Sequence, residues 1–142
     1  MAIQQISVFI ENKQGKLLNT VKAISCEGIN IRAMSIADTQ DFGILRMITS
    51  DHDRTLEILK EESIVSTTEV IAVKMEDKVG SLYEVMKILS DAGVNIEYMY
   101  AFTATESFGA YVIFRVDDVA QAQELLDKSG IPTLCEEDMR AL

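Results

Sequence analysis

Two stretches hold most of the residues whose types and spacing suit recognition chemistry. One is "ENKQGKL", with Asn12, Gln14, Gly15, Lys16 and Leu17; the other is "EDKVGSL", with Asp77, Val79, Gly80, Ser81 and Leu82. In each, a glycine stands immediately before a run with helical periodicity. Glycine takes positive φ without strain and lets a ligand approach the main chain. The N–H groups of Lys16 and Leu17, or of Ser81 and Leu82, then open a helix N-terminus, where an anion is favoured. Further on come Asn30-Ile31 in "GINI" and Asn95-Ile96 in "GVNI". An asparagine side chain donates and accepts, so it bonds either end of a dipolar molecule. Asp77 is ionised at neutral pH and only accepts, so it prefers a cation. The asparagines have a plainer reading, that of ending a turn before a strand. The glycines have one too, as turn residues and no more.

Covalent and metal chemistry find less support. The single histidine, His52, lies in "SDHDR"; neighbours in sequence rarely converge on one ion, so a solvated loop leading into a helix is expected, with Asp51 or Asp53 as its cap. Cys26 has no basic neighbour to lower its pKa, and Cys135 is followed by Glu136, Glu137 and Asp138, which disfavour a thiolate. The chain shows no Ser/His/Asp set, P-loop, G-x-G-x-x-G turn or C-x-x-C pair. The acidic "EEDMR" reads as a solvated face. No enzyme, cofactor or metal is expected.

The elements that must position these residues are written twice. A shift of 65 pairs Ile6, Val8 and Ile10 with Ile71, Val73 and Met75, Gly15 with Gly80, Leu17 with Leu82, Gly28 with Gly93, and Asn30-Ile31 with Asn95-Ile96. Phe42-Gly43 echoes Phe108-Gly109, which implies one inserted residue. Such self-similarity marks a duplicated unit, with domains over residues 1–68 and 69–142. Each copy reads β-α-β-β-α-β. "ISVFI" alternates as a half-buried strand, and Leu17, Val21, Ile24 and Leu82, Met86, Leu89 recur at helical spacing. Gly28 and Gly93 sit where those helices should end. Second helices are expected at Thr55–Glu62 and Ala120–Lys128, and closing strands at Val65–Thr68 and Thr133–Glu136. The fold class is α+β, as two tandem ferredoxin-like βαββαβ units packed as a pseudo-dimer. A unit of this size buries little surface alone, which gives the duplication a structural reason beside any functional one.

Composition narrows the partners. With 23 acidic and 13 basic residues the formal charge is −10, which opposes nucleic acid and anionic membranes. No apolar run reaches the length of a membrane span, and no leader pattern opens the chain. Two cysteines give no disulfide framework, and a cytoplasmic protein is expected. "SFGAYVIFRV" resembles the third-strand motif of RNA-binding domains through Ala110, Tyr111, Val112 and Phe114. Its Phe108-Gly109 order is reversed, however, and Ser107 replaces the basic residue.

The two loops, followed by "GINI" and "GVNI" inside a repeated βαββαβ pattern, resemble ACT domains over essentially the whole chain. That resemblance implies a regulatory module binding a small ligand, commonly an amino acid, between paired domains. In the serine-sensing members a loop asparagine faces a second-strand asparagine of the partner. Carried over, Asn12 would join Asn95, and Asp77 would join Asn30. The chain departs from the family where the loop proline is Gln14 or Val79, and where a histidine before the loop is Ile10 or Met75. A zwitterion needs donors for its carboxylate and acceptors for its ammonium, which these residues offer. Ile10, Met75, Met34 and Met99 would make an apolar rim favouring an aromatic, histidine or branched-chain amino acid, although Met34 and Met99 also suit a core. The expectation is a free-standing amino-acid sensor, with a homodimer through outer strands. The alternative is a structural or protein-interaction module without ligand.

Overall fold

The computed structural model describes residues 2–38, 40–103 and 110–142. Contacts divide the chain into a first unit, Gln4–Thr68, and a second unit made of Glu69–Leu142 with the residues before Gln4. Strand β1 (Ile3–Glu11), helix α1 (Lys16–Cys26), strands β2 (Ile31–Asp38) and β3 (Phe42–Thr49) and helix α2 (His52–Leu59) come first. Then follow β4 (Ile64–Met75), α3 (Ser81–Asp91), β5 (Ile96–Thr103), β6 (Ala110–Val116), α4 (Val119–Lys128), β7 (Thr133–Leu134) and α5 (Glu136–Ala141). The βαββαβ order expected from the sequence is present twice.

In the first unit β1 and β2 both pair antiparallel with β3. Ile6, Val8 and Ile10 alternate onto one face of β1, where Leu45 and Met47 of β3 join them beneath Ile24 of α1 and Leu59 of α2. The second unit orders its strands β7-β4-β6-β5, all antiparallel. Its core places Ile71, Val73, Val112 and Phe114 against Val85 and Leu89 of α3 and Ala122 and Leu126 of α4. Both helices of a unit therefore cover one face of its sheet, the ferredoxin-like arrangement. Among the described residues no helix is long and apolar enough to cross a membrane.

Several expectations need correction. The closing strand at Val65–Thr68 and the strand opening the second copy are one strand, β4. No residue between them breaks the extended backbone: Val65 to Val73 hold neither glycine nor proline. Helix α2 starts at His52, three residues earlier than expected, because the Asp51 carboxylate accepts the Arg54 N–H at 3.0 Å and caps it there. Strand β7 has only two residues, and Glu136, expected to end it, instead opens helix α5, whose Glu137, Asp138 and Arg140 are exposed. The Cys135 N–H bonds the Asp138 carboxylate at 2.8 Å, and Met139 is buried, which anchors that turn.

The inserted residue is also miscounted by sequence echo. Ile10 faces Gly43, whereas Met75 faces Ala110, so β6 is offset by 67 positions from β3 while β4 is offset by 65 from β1. Two residues are inserted between second and third strands. Facing pairs across the ladder define equivalence in a sheet, and a repeated dipeptide near a turn does not. The Phe108-Gly109 pair lies outside the described residues. Tyr111 and Phe114 are buried, so the RNA-binding-like motif presents neither ring as a stacking surface.

Candidate functional site

The loops leaving β1 and β4 are built alike, from backbone bonds the sequence only hints at. The Lys13 N–H bonds the Glu11 carbonyl, and the Lys78 N–H bonds the Glu76 carbonyl, each at 2.9 Å. These i→i+2 bonds are γ-turns centred on Asn12 and Asp77. The Lys16 N–H then reaches the Lys13 carbonyl at 3.2 Å, and the Ser81 N–H reaches that of Lys78 at 3.3 Å. Gly15 (φ 85, ψ −11) and Gly80 (φ 90, ψ −10) are the third residues of those turns. Such dihedrals define a type II turn, which demands φ > 0 there, and both glycines serve as helix N-caps without any side-chain capping bond. The Lys16 and Ser81 N–H groups are thus spent on the turns, and those of Leu17 and Leu18 in α1, and of Leu82 and Tyr83 in α3, are left open to an acceptor.

A repeated ion pair flanks each turn: Glu11 with Lys13 at 2.6 Å, and Glu76 with Lys78 at 2.8 Å. The lysine hydrogen bond holds each carboxyl below its ordinary pKa, and the glutamate raises each lysine in return. This Glu-x-Lys spacing was the unread signal in both loops. It turns the side chains on either side of Asn12 and Asp77 toward one another. Asn12 and Asp77 are themselves exposed, and neither side chain hydrogen-bonds another described residue. The Asn12 N–H bonds the Asp41 carbonyl at 2.9 Å, tying the loop to the residue before β3.

Gln14 and Val79 are exposed, Val79 completely. Lys16 is exposed, whereas Leu17 and Leu82 stand partly out of the core at 37 %. Ser81 is the only member of the two loops that the fold buries, at 8 % exposure.

The asparagines lie elsewhere. Asn30 exchanges backbone bonds with Ser50: its N–H donates to Ser50 Oγ at 2.9 Å, and its carbonyl accepts from Ser50 at 2.8 Å. Asn95 repeats this with Asp117, at 2.9 Å to the carboxylate and 3.1 Å to its carbonyl. These bonds fix the turn before β2 or β5, while the exposed amide side chains hydrogen-bond no described residue. Ile31 and Ile96 pack onto the cores. Within one unit the glycine turn and the asparagine stand at opposite ends of an 11-residue helix, about 16 Å of helix apart. No unit brings its own pair together.

Asn95 and Ile96 do border a surface pocket of about 610 Å³ with Tyr83, Met86, Lys87 and Asp91. The four residues expected at an apolar rim differ in exposure. Ile10 belongs to the first core, and Met75 and Met99 pack against the second, while Met34 alone stands out at 45 % exposure. Alternation puts Met34 and Met99 on the helix-bearing face of their sheets, opposite Met47 and Phe114. His52 is the first residue of α2, bonded to Asp53 Oδ1 at 3.1 Å and Thr67 Oγ1 at 3.2 Å. Among the described residues no cluster of His, Cys, Asp and Glu could hold a metal.

The sequence matches the family described as an ACT domain pair over residues 1–142. A Bacteroides thetaiotaomicron protein of known crystal structure shares 36 % identity at a TM-score of 0.93, covering 100 % of this chain and 98 % of that one. The ligand-free regulatory subunit of aspartate kinase from Thermus thermophilus shares 15 % identity at a TM-score of 0.62, covering 89 % and 91 %. Aspartokinase alpha and beta subunits share 18 % at 0.60, covering the same proportions. At those identities the likeness is one of fold. No curated protein matches at a significant level. With both glycine turns, both asparagine turns and the family match spanning residues 1–142, the chain belongs to the ACT domain pair family.

Proposed function

We propose that this chain is a regulatory module that binds a free amino acid, each glycine turn supplying half of a site. One observation carries the reading. Gly15 and Gly80 each open a helix that no side chain caps, beside an exposed Asn12 or Asp77 whose side chain hydrogen-bonds no described residue. An α-carboxylate fits the helix N-terminus, and an ammonium fits the Asn12 carbonyl or the Asp77 carboxylate. Asn30 and Asn95 stand a helix length away from the turn of their own unit. Each therefore completes a site only with the turn of another ACT unit, from this chain or from a second copy. The fold shared with regulatory subunits of aspartate kinase supports the regulatory part.

The test is a thermal-shift screen against the twenty amino acids, followed by calorimetric titration of Asn12→Ala and Asn95→Ala. A selective rise is expected, since a ligand at a hundred times its Kd stabilises the native state by about 2.7 kcal/mol. Each substitution should weaken that ligand about tenfold with the fold intact. No shift for any amino acid would sink the reading. It would leave the interaction module, which the exposed Phe9 and Phe42 on one face of the first sheet favour.

A further inference from the structure

The first sheet has a second face, away from its helices. Val8 and Ile10 of β1 and Leu45 and Met47 of β3 lie in the core, so Ser7, Phe9, Glu11, Phe42, Ile44 and Arg46 point the other way. Pairing sets these residues in rows across the strands. Ser7, Arg46 and Ser35 make one row, Phe9, Ile44 and Ala37 the next, and Glu11 and Phe42 the last. Val65 packs on the core, which puts Ile64 on the open face too, on β4 beside β1. Phe9, Phe42 and Ile64 are 50 %, 52 % and 74 % exposed, whereas Ile48 and Ala33, farther along the same face, are buried. The open apolar band is therefore confined to one end of the sheet. Large apolar side chains grouped in this way mark a docking surface.

The second unit has no such band. Lys74 stands where the first unit has Phe9, and Tyr111 where it has Ile44. Tyr111 is buried and stacks on Phe102, with ring centroids 5.2 Å apart.

The charges beside the band decide what fits it. A cation, Arg46, stands in the row on one side of Phe9 and Ile44, and an anion, Glu11, in the row on the other. A face of one sign would ask for an unlike partner; this order of cation, apolar row and anion is complementary to itself. A two-fold axis lying along the apolar row turns a second copy over and reverses its strands. Phe9 then meets Phe9, and Ile44 meets Ile44. Arg46 of the second copy lies over Phe42 and one strand spacing, about 4.8 Å, from Glu11. Its guanidinium gains an aromatic face and a carboxylate together.

We propose that this open face of the first sheet joins two copies of the chain in an isologous dimer centred on Phe9 and Ile44. The outer edge of β2 takes no part in it. The band is small beside a standard interface, so the dimer is weak, with a Kd of about 10–100 µM. It does not rest on amino-acid binding, and it is measured without any amino acid, so its failure leaves the function proposed above standing.

The experiment is analytical ultracentrifugation of the full chain from 5 to 500 µM in 150 mM sodium chloride. The mass is expected to climb from one chain toward two. Phe9→Ser, whose side chain sits on the axis, should weaken association about thirtyfold. Phe42→Ser and Glu11→Lys should each weaken it about tenfold. All three residues are at the surface, and circular dichroism reports whether each variant folds; Phe42→Ser carries the test if Phe9→Ser does not. Ile36→Lys, on the outer strand β2 and 47 % exposed, should leave association unchanged. A chain that stays monomeric at 500 µM overturns the proposal. So does a dimer that survives Phe9→Ser and Phe42→Ser but is lost with Ile36→Lys, which would assign it to the outer strand instead.

Discussion

Gly80 shows how a single residue fixes the loop. Its φ of 90 is left-handed, yet a Cβ built there meets nothing within 4 Å. Space is not the constraint; the backbone conformation is. Gly80→Ala should therefore cost about 1–2 kcal/mol in urea unfolding, the penalty of a left-handed L-residue. Val79 occupies the second position of the same type II turn and is completely exposed. Proline is favoured there, so Val79→Pro should stabilise by about 0.4–1 kcal/mol through the unfolded state. Opposite signs for these neighbours are the prediction, and a neutral Gly80→Ala would mean the turn is not left-handed in solution. The flanking carboxyls add a pH signature. Glu11 and Glu76 have folded pKa values depressed by the Lys13 and Lys78 hydrogen bonds. Their contribution is present above the unfolded value near 4.5 and is lost as pH falls through the lower folded value. Carboxyl NMR titration should give midpoints below 4.5 for both, and Lys13→Ala should raise the Glu11 midpoint toward its ordinary value, which Lys16 still holds down, and leave Glu76 unchanged.

At the scale of elements, caps decide what packing leaves open. Asp51 accepts the Arg54 N–H at 3.0 Å, and Asp118 accepts the Gln121 N–H at 2.9 Å. Asp51→Ala and Asp118→Ala should each cost about 1 kcal/mol of stability, and Asn in either place should restore most of it; equal loss with Asn would assign the effect to charge instead. The same elements show what was readable in advance. Helical spacing of Met86 and Leu89 and alternation of Ile71 and Val73 named α3 and the second half of β4 correctly, because burial imposes those periods. The asparagine and glycine turns were legible for a similar reason, since few residues suit them. The merging of two strands into β4 was not legible. A strand continues wherever nothing stops it, and a repeat boundary is no stop. The two-residue offset of β6 lay in pairing register, which only the partner strand reveals.

The whole molecule is a strongly acidic one, with 23 carboxylates against 13 basic side chains, and that charge discriminates among ligands. A net charge of −10 repels anions and gives a neutral zwitterion no steering. The sites proposed at the two glycine turns would hold each end of such a ligand through a helix N-terminus and one acceptor, at distances well inside a screening length. The Debye length falls from about 10 Å at 0.1 M to about 3 Å at 1 M salt. Two consequences follow with opposite salt dependence. Unfolding midpoints should rise between 20 mM and 500 mM sodium chloride, because screening relieves self-repulsion while the exposed Glu11–Lys13 and Glu76–Lys78 pairs contribute little. The Kd for a neutral amino acid, measured by calorimetry over the same range, should change less than about threefold. A dicarboxylic amino acid would instead bind more tightly as salt screens the repulsion. A ligand whose affinity climbs steeply with salt would thus be an anion, and the zwitterion chemistry assigned to the two glycine turns would give way to a site for negative charge alone.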